Sequence, residues 1–404
     1  MGRSSTVAAQ VVLKHFRRVA RHPWIGSKLV KLELEKRLLH LLKPGLNGCA
    51  AGRLRQVSFR ITDLCNLRCR TCGQWGESGF LRGQDLRSLR QREVAPRRYQ
   101  YILQDLVAHG HKPLVYFWGG EPMLYEGILD LMEAATELGL AVSVATNGTR
   151  ISSAAPRLVG APLFLVQLSI DGHCAELHNG LRPAAGSGDN FRDIRDALDA
   201  LDDERRARNT DLPLIASLTV VSRGNFRHLV DLYEAFRYRV DLFVFYLSWW
   251  MDPESASCHE EEFFSRFGFI PRTHRGWIGG WRPDDFQLLD SQLKELLARS
   301  RPWNAPPVTL IPPITGAHDL RTYYTDHNAR FGFDRCVSIF QVTEVDSNGD
   351  VSPCRDYHDY VVGNVQSDTL TELWNSEPYR RFRRSLATEG LMPVCSRCCG
   401  LMGY

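Results

Sequence analysis

The sequence predicts an α/β architecture: a partial barrel of six βα units, with a helical segment before it and a small cysteine-rich domain after it. Three observations predict this. Short apolar runs alternate with helical patterns from residue 56 to 247. That rhythm breaks into Trp-, Pro- and Gly-rich sequence over 248–335. Seven of the eleven cysteines fall into two compact sets, one after the first apolar run and one near the end. The chain therefore divides into 1–55, 56–247, 248–335 and 336–404.

Residues 6–42 read as helix, interrupted near Pro23 and stopped by Pro44-Gly45. Val12, Phe16, Val19, Leu32, Leu38, Leu39 and Leu42 recur at helical spacing. Residues 1–55 carry twelve Lys/Arg against Glu33 and Glu35, a net of +10. The remainder has 38 basic and 44 acidic residues, a net of −6. The basic charge is thus local and does not form a nucleic-acid footprint over the chain. Two readings lead for this segment, with binding to nucleic acid or a partner as the remaining one. It caps the following domain, or it lies on an anionic membrane as a basic amphipathic helix with Phe16 and Trp24 at the interface.

The six strand candidates are "VSFRIT" (57–62), "PLVYFW" (113–118), "AVSVAT" (141–146), "LFLVQLSI" (163–170), "LIASLTVV" (214–221) and "DLFVFYL" (241–247). Helical patterns near 96–109, 124–138, 190–202 and 225–236 separate them. Repeated βα units imply a parallel, TIM-like sheet with its functional loops at the C-terminal strand ends. Over 248–335 only a helix near 283–299 stands out. Trp249, Trp250, Trp277, Trp281 and Trp303 there either line a substrate pocket or pack as a cap. Beyond residue 336, Asn348-Gly349 between alternating runs predicts a hairpin. A helix near 369–385 follows.

With 404 residues, 44% hydrophobic and 24% charged, the chain has the composition of a globular enzyme. No apolar run approaches the ~18 residues of a membrane span. The N-terminus shows no secretory pattern, so eleven cysteines argue for metal or redox use in a reducing compartment rather than a disulfide framework. The expected location is the cytoplasm, with peripheral contact at the inner membrane face if residues 1–45 dock there.

Cys65, Cys69 and Cys72 make a three-thiolate loop directly after the first strand. Iron–sulfur clusters are normally held by four thiolates, so three leave one iron open to a small chelating molecule. Zinc is the alternative and would need a fourth Cys or His. The loop supplies none, and the histidines flanking it in sequence are His40 and His111.

The spacing Cys65-x3-Cys69-x2-Cys72 after a first strand resembles the signature of the radical S-adenosylmethionine (radical SAM) superfamily. The resemblance continues in order over about 160 residues. "WGGEP" (118–122), with Gly119, Gly120, Glu121 and Pro122, is similar to the motif that contacts the methionyl amine. "ATNG" (145–148), with Asn147, closes the third strand. "LSIDG" (168–172), with Ser169 and Asp171, resembles the segment facing the ribose. Arg182 matches the arginine found near the carboxylate, and Asn225 matches a residue of the fifth-strand segment. The resemblance implies a [4Fe–4S] cluster whose open iron binds S-adenosylmethionine. Reductive cleavage would then give a 5′-deoxyadenosyl radical that abstracts hydrogen from substrate. Residue 71 is often aromatic in the family and stacks near adenine; here it is Thr71, so that packing must come from elsewhere.

Cys336, Cys354, Cys395 and Cys398 form a full set of four, open by spacing alone to zinc or iron–sulfur. This region resembles a shortened SPASM or twitch-type domain, which implies one auxiliary [4Fe–4S] cluster where a full SPASM domain has two. Cys399 is spare, as an alternative ligand or a redox thiol. Cys49, Cys174 and Cys258 read as ordinary buried thiols. The implied partners are a small-molecule, lipid-linked or peptide substrate and an electron donor such as flavodoxin or ferredoxin. The competing classes are a zinc-bound interaction module and an iron–sulfur electron-transfer protein that never cleaves the cofactor.

Overall fold

The computed structural model describes residues 34–39 and 49–402 of the chain. Residues 34–39 are helical. The rest of the helix expected over 6–42, and with it most of the segment expected to touch a membrane, lies outside the described residues. Among the described residues no helix is long and apolar enough to cross a membrane.

Six strands form where the apolar runs predict them: β1 (Gln56–Thr62), β2 (Leu114–Gly119), β3 (Ala141–Thr146), β4 (Leu165–Ser169), β5 (Leu214–Val221) and β6 (Leu242–Leu247). Each pairs parallel with the next. Helices at Pro96–Ala108, Ile128–Glu137, Ile151–Gly160, Asn190–Ala207 and Leu229–Phe236 cross between them. Pro96 opens the first of these, where a missing N–H costs nothing. Asp189 caps the fourth by accepting from the Arg192 amide.

The sheet continues past these six on both edges. β7 (Val308–Ile311) runs parallel to β6, and β8 (Val342–Val345) runs parallel to β1. β9 (Asp350–Ser352) and β10 (Gly363–Asn364) add antiparallel to β8, giving the order β10-β9-β8-β1-β2-β3-β4-β5-β6-β7. β7 falls within 248–335, where the sequence showed one helix. It is short and bracketed by Pro306, Pro307, Pro312 and Pro313, which read as breakers but are tolerated on an edge. The same segment also holds helices at Pro253–Phe267 and Ala317–Thr325, besides the expected one at Phe286–Arg299.

The hairpin at Asn348-Gly349 joins β8 to β9, with Gly349 at φ +92° and a Cβ there 2.6 Å from Asn364 Oδ1. The helix expected over 369–385 is two helices, Leu370–Leu373 and Glu377–Thr388. Between them the Asn375 side chain exchanges hydrogen bonds with the Ala51 backbone, and Trp374 Nε1 donates to the Gly52 carbonyl at 2.7 Å. This junction ties the C-terminal region to the chain entering β1.

The two faces of the sheet differ in chemistry. One face carries Val57, Phe59, Ile61, Val115, Phe117, Val142, Val144, Val166, Leu168, Phe243 and Phe245, which pack against the helices as the main core. Residues paired across parallel strands point the same way. The register pairs Glu344 with Ser58, Ser58 with Tyr116, Arg60 with Trp118 and Tyr116 with Ser143. The other face therefore presents polar and aromatic groups, with Gln167 donating to Ser143 at 2.6 Å. Tyr116 on β2 and Tyr246 on β6 both lie in electrostatic reach of Arg355, Asp356 and Cys399. Four strand spacings would separate them by about 19 Å in a flat sheet, so the sheet curls around this face.

A buried cation joins the first strand to the C-terminal hairpin. Arg60 Nε lies 3.2 Å from Asp63 Oδ1, close enough for an ion pair though not aligned as a hydrogen bond. Another guanidinium nitrogen lies 3.3 Å from Asp346 Oδ2, and a third contacts His358 Nε2 at 2.6 Å. His358 Nδ1 contacts the same Asp346 oxygen at 2.8 Å. Burial disfavours the charge on Arg60, but Asp346 and Asp63 outweigh it and hold the group protonated. Replacing Arg60 with Met strands two buried carboxylates. The expected loss is about 3–5 kcal/mol, read from denaturant midpoints. A loss below about 1 kcal/mol would remove this pair from the fold's essential contacts.

Candidate active site

The loop after β1 is tied down at both ends. Trp75 folds back so that its Nε1 donates to the Asp63 carbonyl at 2.7 Å, and Arg68 stacks on its ring at 4.2 Å. The Arg68 and Arg70 amides donate to the Pro183 and Leu181 carbonyls, and the Ala185 amide donates to Asn66. Each cysteine sulfur faces a donor. The Leu67 amide meets Cys65 Sγ at 3.4 Å, the Trp75 amide meets Cys72 Sγ at 3.4 Å, and Arg182 meets Cys69 Sγ at 3.6 Å.

Burial pushes the Cys65 thiol up to about 12 and Cys69 up to about 11, so neither ionises unaided. A bound cation reverses that cost and takes the thiolates. Tetrahedral zinc, with Zn–S near 2.3 Å, draws its sulfurs to about 3.8 Å of one another. Among the described residues the three loop thiols are not drawn together within 4.8 Å of one another. Three thiols that each face a donor fit a centre held by thiolates.

The strand-end motifs converge on this loop. Gly119 and Gly120 lie against it so closely that a Cβ on Gly120 would sit 2.1 Å from the Leu64 carbonyl oxygen. The Gly120 and Glu121 amides donate to Thr62 and Leu64. Glu121 spends its carboxylate inside the protein, accepting from the Met123 amide, Thr146 Oγ1 and the Asn147 amide. Burial raises its pKa against these bonds. Pro122 opens the short turn that follows. Asn147 donates to Asn66 Oδ1 at 2.8 Å, joining the end of β3 to the cysteine loop.

Asp171 accepts from the Val220 amide at 2.8 Å and from Arg182 Nε at 2.6 Å, while Asn225 donates to its carbonyl. Ser169 ends β4, half-buried. Arg182 keeps its charge firmly. Burial works against it, but Asp171 and Cys69 more than compensate.

Behind Asp171 sits His178, fully buried. The Asp171 amide donates to its Nδ1, so Nε2 carries the proton toward Asn190 Oδ1 at 2.9 Å. Burial, with Arg182 nearby, pushes its pKa down to about 4.

The second set also gathers. Cys395 lies in electrostatic reach of Cys336 and Cys354, and Cys398 of Cys354 and Cys395. The Tyr357 amide meets Cys354 Sγ at 3.4 Å. Burial raises all four thiols, Cys395 to about 12. Asp356, which sequence reasoning passed over, accepts from Cys398 Sγ at 2.8 Å, Cys399 Sγ at 3.2 Å and the Gly400 amide. Only its place two residues after Cys354 could have flagged it. Among the other thiols Cys49 is buried and Cys174 half-buried, while Cys258 is exposed, contrary to expectation.

The tryptophans divide. Trp277 stacks on Trp249 at 3.9 Å, and its ring covers Gly73, where a Cβ would sit 2.3 Å away. Trp250 and Trp281 pack against the core, and Trp303 is exposed.

A family model described as the radical SAM superfamily matches residues 59–224, and one described as an iron–sulfur cluster-binding domain, SPASM, matches 336–399. An AdoMet-dependent heme synthase of Methanosarcina barkeri is 23% identical over 84% of this chain and 88% of its own. A cysteine-type anaerobic sulfatase-maturating enzyme of Clostridium perfringens is 25% identical over 80% of each. The crystal structure of Streptococcus suis SuiB bound to the precursor peptide SuiA superposes with TM-score 0.59 at 16% identity, covering 92% of this chain and 75% of that one. That last likeness is one of fold.

Two outcomes follow from the packing. Gly120→Ala should displace the cysteine loop and lower bound metal per chain, whereas Gly180→Ala, which meets nothing within 4 Å, should not. Metal content of the two purified variants decides it; equal content refutes the close-approach argument. His178 binds no proton in the native state between about pH 4 and 6.5, while the unfolded chain does. Stability therefore falls as pH drops through that window, by up to about 3 kcal/mol from this group. His178→Gln should flatten the pH dependence of the unfolding midpoint; an unchanged slope counts against it.

Proposed function

We propose, for a chain that belongs to the radical SAM superfamily and carries a SPASM-type iron–sulfur domain, that its two cysteine sets face one substrate chamber. Cys65, Cys69 and Cys72 hold a [4Fe–4S] cluster with one iron left for S-adenosylmethionine. Cys336, Cys354, Cys395 and Cys398 hold one auxiliary [4Fe–4S] cluster. The observation that carries this reading is the convergence of Gly119 to Pro122, Asn147, Asp171 and Arg182 on a loop of three thiols that each face a donor. When bound and reduced, the first cluster would supply the electron that splits S-adenosylmethionine into methionine and a 5′-deoxyadenosyl radical, which would take hydrogen from substrate.

The chain's own share is positioning and exclusion of water. Arg182, oriented by Asp171, offers its remaining N–H groups beside Cys69 to the methionyl carboxylate. The backbone of Gly119 to Pro122 faces the amine, and Ser169 the ribose. Trp277 over Gly73 supplies an aromatic surface that Thr71 does not. The substrate lies against Tyr116, Tyr246, Arg355 and Cys399. The one ion contact of Arg355 among the described residues is Asp356 at 3.8 Å, which leaves its donors for an anionic substrate group. Small-molecule, lipid-linked and peptide substrates all offer one, and relatives named for heme synthesis and sulfatase maturation bracket that range. A flavodoxin- or ferredoxin-type protein delivers the electron. The basic segment 1–45 either caps the domain that follows or docks on anionic membrane.

Anaerobic loading with iron and sulfide should give about eight irons per chain, and dithionite with S-adenosylmethionine should give 5′-deoxyadenosine. The triple variant Cys65→Ala, Cys69→Ala, Cys72→Ala should keep about half the iron and lose all cleavage. Loss of all iron would refute two independent clusters, and full iron without cleavage in the parent chain would favour an electron-transfer protein. Deleting residues 1–45 should abolish sedimentation with anionic liposomes; unchanged sedimentation removes the membrane contact.

A further inference from the structure

The loops after β4 and β5 bring together a second kind of donor set. His173 follows Asp171-Gly172, and His228 with Asp231 opens the helix Leu229–Phe236. One ring nitrogen of each histidine and a carboxylate oxygen of Asp231 all lie within 4.8 Å of one another. The two rings stand 5.3 Å apart, and His228 Nδ1 is 2.9 Å from Asp231 Oδ2. His173 Nδ1 is buried with no hydrogen-bond partner. Buried polar nitrogens almost always find a partner, so an unpartnered nitrogen on a histidine that stands beside two other ligand-type groups leaves room for an occupant.

The backbone holds these donors in place. Asn225 Nδ2 donates to the Asp171 carbonyl at 2.9 Å, which clamps one loop to the other. Gly172 lies so close to the next helix that a Cβ would sit 2.5 Å from the His178 amide nitrogen, and Gly224 likewise presses on Leu181 at 2.7 Å.

We propose that His173, His228 and Asp231 bind one borderline divalent cation of the zinc type, which clips the two strand-end loops together. Two imidazoles and a carboxylate are a sufficient set for such an ion, with the remaining position open to water. The direct contact between His228 and Asp231 opens slightly to admit it. The site is separate from both cysteine sets and needs no redox step.

The test uses the full chain with its iron–sulfur clusters loaded, so that no free cysteine set competes. Titration with Co(II) under nitrogen should give one bound ion per chain, with visible d–d bands and no sulfur-to-cobalt charge transfer. Zinc should displace it. Asp231→Asn, an exposed and conservative change, and His173→Ala should each weaken binding at least about tenfold while iron content stays at the parent level. Absence of stoichiometric binding, sulfur-to-cobalt bands, or affinity unaffected by both variants would overturn the site.

Discussion

Arg60 is the cation on which both cysteine regions converge. It lies on β1 two residues before the strand ends, on the polar face of the sheet. Asp63, its first partner, begins the loop that carries Cys65, Cys69 and Cys72. Asp346, its second, begins the hairpin turn that leads to Cys354. The other Asp63 oxygen accepts from Ser347 in that same turn. In a buried setting each of these charges is tolerable only while the others are present. The parallel pairing of β8 with β1 sets the strands side by side, and the Arg60 group sets the two loops at their ends.

The rest of the interior follows from the two-faced sheet. Its apolar face is spent on the crossing helices, which leaves the other face free to carry Glu344, Arg60, Tyr116, Trp118, Gln167 and Tyr246. A flat sheet would scatter these groups. Curling brings Tyr116 and Tyr246 to the same Arg355 and Cys399, and the SPASM-type region closes over them. The polar face thus gathers tyrosines, an arginine and a spare thiol between the two cysteine regions.

Much of this was legible before any coordinates. The six strands were readable because each is a run of apolar residues longer than a turn, and the hairpin because Asn-Gly has few other uses. Several of the elements that escaped have a local reason. β7 is four residues among prolines, the helix Ile151–Gly160 contains Pro156, and the helix Ala175–Leu181 has too few turns to show a period. Of the candidate site, the two cysteine sets stood out by spacing, while the Gly119–Pro122 turn, Asn147, Ser169, Asp171 and Arg182 were named through the resemblance to the radical SAM family. Asp356 and Trp277 could not, since what they touch lies far along the chain, and of Arg60's partners only Asp63 is near in sequence while Asp346 and His358 are distant.

The sequence by itself determined the chemistry: three thiols with an open place, four more in a second set, and a βα rhythm to carry them. Those are properties of spacing and periodicity, which short-range sterics impose on any chain with these residues. Tertiary structure alone decided that Glu121 is a brace accepting from Thr146 and Asn147, that Trp277 covers Gly73, and that Arg355 and Cys399 lie in electrostatic reach of Tyr116 and Tyr246. These depend on contacts between residues tens to hundreds of positions apart, which only the register of the sheet and its curvature bring together.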